Sequence, residues 1–289
     1  MKGADIAAIL NFSAFRPEPD DSSASWRKRF PNQRTALLNI GRSSLSWSGV
    51  QRNGRLTEGD LVRGDPKELL TQLSLQIRDL AEGGWTAVSM NTRYVISLET
   101  NLSRRPGSDE VIKSNPRSVL GARYERGKRY AVTHNPETNS SILLAIEEDH
   151  VRKIEAMLKE AGLQAGRVCC GAYTLLRHAL AQTNTTKGGE KPVSNFYIVC
   201  CQGSVCALVQ DQDRWLELRS RTDVYEDTID PAIELLAPFK QRIPPDIEIV
   251  LACDHPLPAL VEKMGAVFPG HRITDLSQPD LLWTLIAQN

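Results

Sequence analysis

Two short glycine-containing turns hold the residues of this chain best suited to bind an anion. Each turn lies between two apolar runs that predict strands, with residues 35–40 before Gly41 and residues 196–201 before Gly203. The backbone N–H groups of such a hairpin turn can hold a phosphate without any acidic residue. The predicted anion-binding residues are Asn39, Gly41, Arg42 and Ser43 in the first turn and Gln202, Gly203 and Ser204 in the second.

No aspartate accompanies either turn, which argues against metal chemistry there. Mg²⁺ prefers carboxylate oxygens, which Asn39 cannot supply, and neither residues 35–50 nor residues 196–210 include an acidic side chain. Phosphoryl transfer needs both a metal site and a base, so the sequence predicts no catalytic residue and no metal ligand. The alternative to an anion site is a plain β-turn in which Gly41 adopts a positive φ.

The six cysteines and five histidines form no metal or catalytic motif. No CxxC or HExxH spacing occurs, and no G-x-S-x-G elbow indicates a hydrolase. Neighbouring residues on a strand point to opposite faces, so neither Cys169 with Cys170 nor Cys200 with Cys201 can easily hold one metal. By the same alternation, Cys200 and Cys206 are expected to share a face. We expect all six to be small buried side chains in a reducing compartment.

The charge balance argues against several classes of protein. The 289 residues include 35 basic and 35 acidic side chains, giving a formal net charge of +0. That balance predicts neither a nucleic-acid partner nor a polybasic membrane surface. No apolar run approaches the roughly 20 residues that span a bilayer, and the first ten residues do not form a signal peptide. We expect a cytoplasmic protein with no transmembrane segment of its own.

Hairpins followed by alternating strands and helices predict an α/β fold in two similar halves. Asp65 is a good N-cap for a helix that has Pro66 in its first turn and Gly83 at its end. A later helix is expected to break at Pro238, and the next to end at Gly265. The predicted units are an irregular leader (1–34), a first half (35–182) with a small irregular insertion (about 103–139), and a second half (193–289).

With its elements in this order, the chain resembles the PilM family of actin-like pilus-assembly proteins. It is also similar to the MshI proteins of MSHA-pilus biogenesis and to the cytoplasmic domain of the type II secretion protein GspL. Three stretches carry the resemblance: ILLAIEEDHVRKIEAMLKEAGLQAGRVCCGAYTLLRHAL, FYIVCCQGSVCALVQDQDRWLELRSR and IEIVLACDHPLPALVEKMGA. It implies an actin-like, ribonuclease H-like duplicated fold with a reduced insertion subdomain.

The resemblance also implies a use for the two hairpin turns. In actin-like folds the turns hold nucleotide phosphates, and an aspartate in each half holds Mg²⁺ or its waters. Because Asn39 and Cys201 replace those aspartates here, the resemblance implies a degenerate nucleotide site and no cofactor. The alternative is that ATP with Mg²⁺ still binds.

A second resemblance lies in the leader, where residues 9–17 look like the N-terminal tail of PilN. PilM proteins bind that tail in a groove of the first half, so the leader could occupy or mimic such a groove in its own or a neighbouring subunit. An amphipathic or disordered leader is the alternative. The predicted partner-binding residues are Ile9, Asn11, Phe12, Phe15 and Arg16 in the leader and Trp85, Val88 and Tyr94 in the first half.

Together these patterns predict a scaffold protein of a type IV pilus or type II secretion machine. It would bind the cytosolic tail of an inner-membrane PilN-like protein, and the assembly ATPase and a second copy of the chain are further expected partners. It would lie in the cytoplasm, at the inner membrane through those partners. The alternatives are an ATP-dependent switch of the same assembly and a small-molecule kinase of the same fold.

Overall fold

The computed structural model describes residues 33–100, 111, 115–134, 141–185, 194–201, 203–211 and 214–288. The described strands are β1 (Thr35–Ile40), β2 (Ser44–Val50), β3 (Asp60–Arg63), β4 (Trp85–Met90), β5 (Val95–Thr100), β6 (Lys128–His134), β7 (Ser141–Glu147), β8 (Gln164–Cys170), β9 (Asn195–Cys201), β10 (Ser204–Asp211), β11 (Arg214–Thr222), β12 (Glu248–Cys253) and β13 (Ile273–Asp275). The described α-helices are α1 (Pro66–Asp79), α2 (Pro116–Leu120), α3 (Glu148–Glu160), α4 (Gly171–Thr185), α5 (Asp230–Leu236), α6 (Pro258–Val267) and α7 (Leu281–Gln288).

Two five-stranded sheets have the same strand order and directions. The first runs β3-β2-β1-β4-β8 and the second β11-β10-β9-β12-β13. In each sheet the first three strands of the half are antiparallel and the last two are parallel to the opening strand. The predicted α/β fold in two similar halves is therefore confirmed. The two hairpin turns occupy equivalent positions, because each follows the opening strand of its half.

Local sequence signals set most helix boundaries. The Asp65 side chain accepts hydrogen bonds from the backbone N–H groups of Lys67 and Glu68, which caps α1 as expected. Helix α1 ends at Asp79 rather than at Gly83. Helix α5 gives way to a 3₁₀ segment, Ala237–Gln241, at the predicted break around Pro238.

Helix α6 contradicts one predicted boundary. It continues through Gly265 to Val267, so the expectation that this glycine ends the helix is wrong. A Cβ atom at Gly265 would meet nothing within 4 Å. Burial explains the continuation, since the last turns of α6 bring Met264 and the following Phe268 into the core under the second sheet. The apolar contact outweighs the modest helix propensity penalty of one glycine, about 1 kcal/mol.

A third sheet, ordered β5-β7-β6, replaces part of the insertion that was expected to be irregular. Strand β6 pairs antiparallel with the buried β7, from Lys128 opposite Glu147 to His134 opposite Ser141. Strand β6 was not predicted because it begins with basic residues. They are neutralised in the fold, since Lys128 lies 2.7 Å from Glu125 and Arg129 lies 3.4 Å from Glu148.

The largest apolar core is shared by the two halves. Strand β9 places Tyr197, Val199 and Cys201 in this shared core and its alternate residues in a separate core under α5 and α6. Helix α4 packs on β9, and α7 packs on α4, β1 and β4, so these two helices lie between the sheets. The C-terminal helix, predicted as part of the second half, thus contacts the first sheet; the domain boundaries themselves stay a prediction.

All six cysteines are buried, as expected, but one of their predicted relationships is wrong. Cys200 and Cys206 do not share a face. The hairpin register pairs Cys200 with Val205 and Cys206 with Val199, and directly opposed residues lie on the same face of an antiparallel pair. The alternation of side chains between the two faces of a strand cannot be continued from β9 into β10, because the chain reverses direction at the turn.

Candidate functional site

The two hairpin turns meet face to face in the middle of the molecule. Gly203 has φ +87°, and a Cβ atom placed on it would lie 3.6 Å from the Cα of Gly41 and 3.3 Å from the hydroxyl of Tyr225. Gly41 itself has no positive φ, contrary to the plain-turn alternative. It needs to be glycine for space, since a Cβ atom there would lie 2.2 Å from Ser44 Oγ.

Residues 223–228, here called the cleft segment, lie against both turns. At the second turn the N–H of Gly203 donates to the carbonyl of Val224 at 2.9 Å, and the N–H of Asp223 donates to the carbonyl of Gly203 at 2.9 Å. The Gly203 N–H, a group that could have held a phosphate, is therefore already paired within the chain.

At the first turn the cleft segment is held by side chains. Arg42 Nη1 donates to Asp223 Oδ2 at 2.9 Å, and Ser43 Oγ donates to Asp223 Oδ1 at 3.4 Å. The hydroxyls of Ser44 and Tyr225 are hydrogen-bonded at 3.0 Å in a buried setting. The Gly41 N–H is also paired, with the carbonyl of Ser44 at 3.0 Å.

Arg63, at the end of β3, extends the same junction. Its guanidinium lies over the ring of Tyr225, with Cζ 4.2 Å from the ring centroid, and its Nη2 donates to Asp227. These contacts join residues about 160 to 180 positions apart. The cleft between the halves is thus closed by direct contact at the two hairpin turns.

The two positions that replace the expected aspartates are buried. Asn39 is 2% exposed, and its Oδ1 accepts a hydrogen bond from Ser89 Oγ at 2.8 Å. Cys201 is 3% exposed, and burial together with the negative charge of Asp254 raises the pKa of its thiol well above the ordinary value. It is therefore a neutral thiol near pH 7. Among the described residues no group of three or more His, Cys, Asp or Glu side chains could hold a metal ion.

Asp254 and His255 form an ion pair at the end of β12, beside the second turn. His255 Nδ1 lies 2.6 Å from Asp254 Oδ1, and the Asp254 N–H donates to the carbonyl of Cys200. Burial disfavours the protonated imidazole ring. The hydrogen bond to Asp254 and the negative charge of Asp254 outweigh this effect and raise the pKa of His255. This pair orients the imidazole, and no described serine is hydrogen-bonded to it in the arrangement of a hydrolase triad.

A groove of about 450 Å³ lies on the other side of the first turn. The turn, the start of α1 and one face of α3 form its walls. The rings of Tyr94 and His150 pack against each other in a tilted arrangement with centroids 4.8 Å apart, and Lys67 Nζ lies 3.9 Å from Glu160 Oε2. The groove is lined by Ile40, Gly41, Arg42, Asp65, Pro66, Lys67, Tyr94, His150, Lys153, Ile154, Ala156, Met157 and Glu160.

The predicted site residues are divided between these places. Gly41, Arg42, Ser43, Gly203 and Ser204 lie at the junction of the turns, and Gly41, Arg42 and Tyr94 line the groove. Gln202 and the leader residues Ile9, Asn11, Phe12, Phe15 and Arg16 lie outside the described part of the chain.

Two predicted partner contacts do not belong to the groove. Val88 is completely buried in the shared core, so its prediction as a partner-binding residue is wrong. Val88 lies within β4, which has a neighbouring strand on each side and is buried from Thr86 to Met90. Trp85 starts β4, at the opposite end of the sheet from the first turn, because Ala36 pairs with Thr86 and Ile40 with Met90.

The cleft segment was not identified from the sequence. Its residues carry no motif, and their role depends on contacts with a turn far away in the sequence. Asp223 also has a positive φ of +63°, and no sequence pattern around it predicts this backbone conformation. On the groove face of α3, Ile154 is also buried in the shared core.

Comparison with solved structures identifies the class of fold. A Bacteroides thetaiotaomicron protein with an actin-like ATPase fold and unknown function is 10% identical, with 90% of this chain and 98% of that chain covered and a TM-score of 0.53. The chain therefore has the actin-like fold implied by its resemblance. No protein-family model and no curated protein sequence matches it.

Two further similar structures belong to the group of pilus-assembly and type II secretion proteins that the sequence resembles. The cytoplasmic domain of EpsL, an inner-membrane component of the type II secretion system of Vibrio cholerae, is 11% identical, with 88% and 93% covered and a TM-score of 0.51. A PilM–PilN type IV pilus biogenesis complex is 13% identical, with 88% and 97% covered and a TM-score of 0.53. No helix in the described ranges has the length and apolar character to cross a membrane.

Proposed function

We propose that this protein is a scaffold of a type IV pilus or type II secretion machine. It binds the cytosolic tail of an inner-membrane PilN-like protein and works in the cytoplasm, at the inner membrane through that partner. The assembly ATPase and a second copy of the chain are further partners in this proposal. The similarity in fold to EpsL and to the PilM–PilN complex supports the kind of machine and the kind of partner.

The groove beside the first turn is the observation that carries the proposal. It combines apolar side chains, such as Tyr94 and Met157, with a charged rim that includes Lys67 and Glu160. An extended or helical peptide fits such a groove by inserting apolar anchors and satisfying its polar groups at the rim. Its volume of about 450 Å³ is within the range of ligand-binding pockets.

The closed cleft supports a scaffold that acts without nucleotide. The cleft segment pairs the Gly203 N–H and engages Arg42 and Ser43, and the positions suited to a metal ligand carry a buried amide and a neutral thiol. We therefore favour a protein that is not an enzyme and binds no cofactor. An ATP-dependent switch and a small-molecule kinase would both need this cleft to open.

A peptide-binding titration tests the groove. The probe is a fluorescent synthetic peptide with the N-terminal cytosolic tail of the PilN-like protein from the same genome. We expect saturable binding that Tyr94→Ala and Met157→Glu weaken at least about tenfold, as loss of a central apolar anchor does. Leu75→Glu is the matched control, because Leu75 is 72% exposed and lies outside the groove lining. Binding that these groove variants leave unchanged would contradict the site.

Thermal unfolding with excess Mg-ATP tests the alternatives, with Mg-ADP and EDTA as controls. A ligand at about 100 times its Kd adds roughly 2.7 kcal/mol, which raises the midpoint by about 4 °C for a chain of this size. We expect no nucleotide-specific shift. A shift that requires Mg²⁺ would make the ATP-dependent switch the better assignment, whatever the outcome with the peptide.

A further inference from the structure

We propose that the first hairpin turn is an anion-binding site whose ligand is the chain's own Asp223 carboxylate. The carboxylate takes the place of a phosphate and joins the first turn to the cleft segment without any bound molecule. This inference concerns the cleft and not the groove, so it does not depend on the identity of the peptide partner.

The contacts of Asp223 are those of a bound anion. One carboxylate oxygen accepts from Arg42 Nη1 at 2.9 Å and from Thr222 Oγ1 at 3.2 Å, and the other accepts from Ser43 Oγ at 3.4 Å. A guanidinium and hydroxyl groups beside a tight turn are donors that also suit a phosphate. Two of the three donors come from the opposite half of the molecule.

The backbone of Asp223 is held in an uncommon conformation for this contact. Its φ of +63° lies in the left-handed region, which is unfavourable for most L-residues and is tolerated best by Gly, Asn and Asp. Hydrogen bonds on both sides of the residue maintain this conformation, from its own N–H to Gly203 and from the Gly203 N–H to Val224. Strain retained in this way is expected where it serves a function.

The site is open enough for an external anion to replace the carboxylate. The side chains of Arg42 and Asp223 are 54% and 33% exposed. The attraction between them is therefore screened by solvent and modest in strength. Removing the carboxylate leaves Arg42 and Ser43 beside solvent, where inorganic phosphate can reach them.

Replacing the carboxylate with a free anion tests the inference. Asp223→Gly removes the side chain and keeps the left-handed backbone free of strain, which alanine would not. Thermal unfolding is measured for the full chain in phosphate and in chloride at equal ionic strength. Phosphate stabilises most proteins by exclusion from their surfaces, so the informative quantity is the shift of the variant beyond the shift of the unsubstituted protein.

Asp227→Gly is the matched control. Asp227 belongs to the same cleft segment and pairs with Arg63, but it does not contact the first turn. Both substitutions release one arginine, so their comparison separates a built site from a free guanidinium. We expect phosphate to raise the midpoint of Asp223→Gly by at least about 2 °C more than that of Asp227→Gly and of the unsubstituted protein.

A second variant keeps the inference testable if Asp223→Gly does not fold. Asp223→Asn retains the shape and the tolerated backbone but loses the charge, and we expect it to gain a smaller extra shift with phosphate. Adding Arg42→Ala to either variant should abolish that gain. Equal phosphate shifts in all of these proteins would overturn the inference. It would also be overturned if the unsubstituted protein showed a phosphate shift as large as that of Asp223→Gly and if Arg42→Ala abolished that shift.

Discussion

The backbone of Gly203 lies against that of Gly41, so close that a Cβ atom on Gly203 would come within 3.6 Å of the Gly41 Cα. These glycines mark the turns of the two hairpins, and their contact leaves no layer of side chains between the halves at this point. A side chain at Gly203 would be in ordinary van der Waals contact with Gly41, and its tighter neighbour would be the Tyr225 hydroxyl at 3.3 Å.

We expect Gly203→Ala to destabilise the protein more than Gly270→Ala. Both glycines have nearly the same φ, +87° and +85°, so both alanines carry the cost of a left-handed backbone, about 1–2 kcal/mol. A Cβ atom at Gly270 meets nothing within 4 Å, whereas one at Gly203 presses on the Tyr225 hydroxyl at 3.3 Å. Urea unfolding measures both variants, and equal losses would contradict the prediction, because they would mean that the Tyr225 hydroxyl accommodates the added Cβ atom without cost.

Asn39→Asp should destabilise the protein instead of restoring a metal site. The side chain is 2% exposed, so a carboxylate there would be buried, and burial disfavours its charged form. We expect a loss of about 1–3 kcal/mol at pH 7. The new carboxyl would have a raised pKa and would bind its proton more tightly when folded, so the loss should shrink as the pH falls towards 5.

Urea unfolding of Asn39→Asp and the unsubstituted protein at pH 7 and pH 5 measures this difference. Mg²⁺ at millimolar concentration is added in a parallel series. Stabilisation of the variant by Mg²⁺ would contradict the prediction and would indicate that the cleft retains a usable cation site.

The pair of His255 and Asp254 predicts a pH dependence of stability. The pKa of His255 is raised in the folded protein, so the folded state binds this proton more tightly than the unfolded chain. The stabilisation is fully present below the unfolded pKa of about 6.5 and is lost as the pH rises through the folded pKa. We expect the free energy of unfolding to fall in this window for the unsubstituted protein and less for His255→Gln.

Chemical denaturation at closely spaced pH values from 5.5 to about 8.5 measures both proteins. His271→Gln is a suitable control, since His271 is half-buried and its Nε2 pairs with the carbonyl of Pro244 at 3.2 Å instead of with a carboxylate. Parallel curves of unfolding free energy against pH for the unsubstituted protein and His255→Gln would show that the Asp254 contact does not raise the pKa of His255.

The six cysteines should not react with a thiol reagent while the protein is folded. All six are buried, and burial raises the pKa of Cys170 to about 12 and also raises the pKa of Cys201 and Cys206. Thiolate is the reactive form, so both access and charge oppose the reaction. We expect a disulfide reagent to label the thiols only on addition of denaturant, and rapid labelling of the native protein would contradict this.

Much of the fold follows from local patterns in the sequence. Asp65 and Pro66 begin a helix, Pro238 interrupts one, and continuous apolar runs form the central strands of both sheets. These signals act over a few residues, through capping groups, a missing N–H and the alternation of side chains on a strand. These local signals do not predict strand β6, because its basic residues pair with acidic side chains only in the folded chain.

The α/β class, the duplicated hairpins and the absence of acidic residues from their turns are all evident in the amino-acid sequence. The contact between the turns, the position of Asp223 beside Arg42 and Ser43, the burial of Val88 and the place of Tyr94 in a groove emerge only in the folded chain. These contacts are hard to predict because they join residues far apart along the chain. Arg42 and Asp223 are 181 positions apart, and no periodicity or turn signal within either segment specifies a partner that packing alone brings into contact.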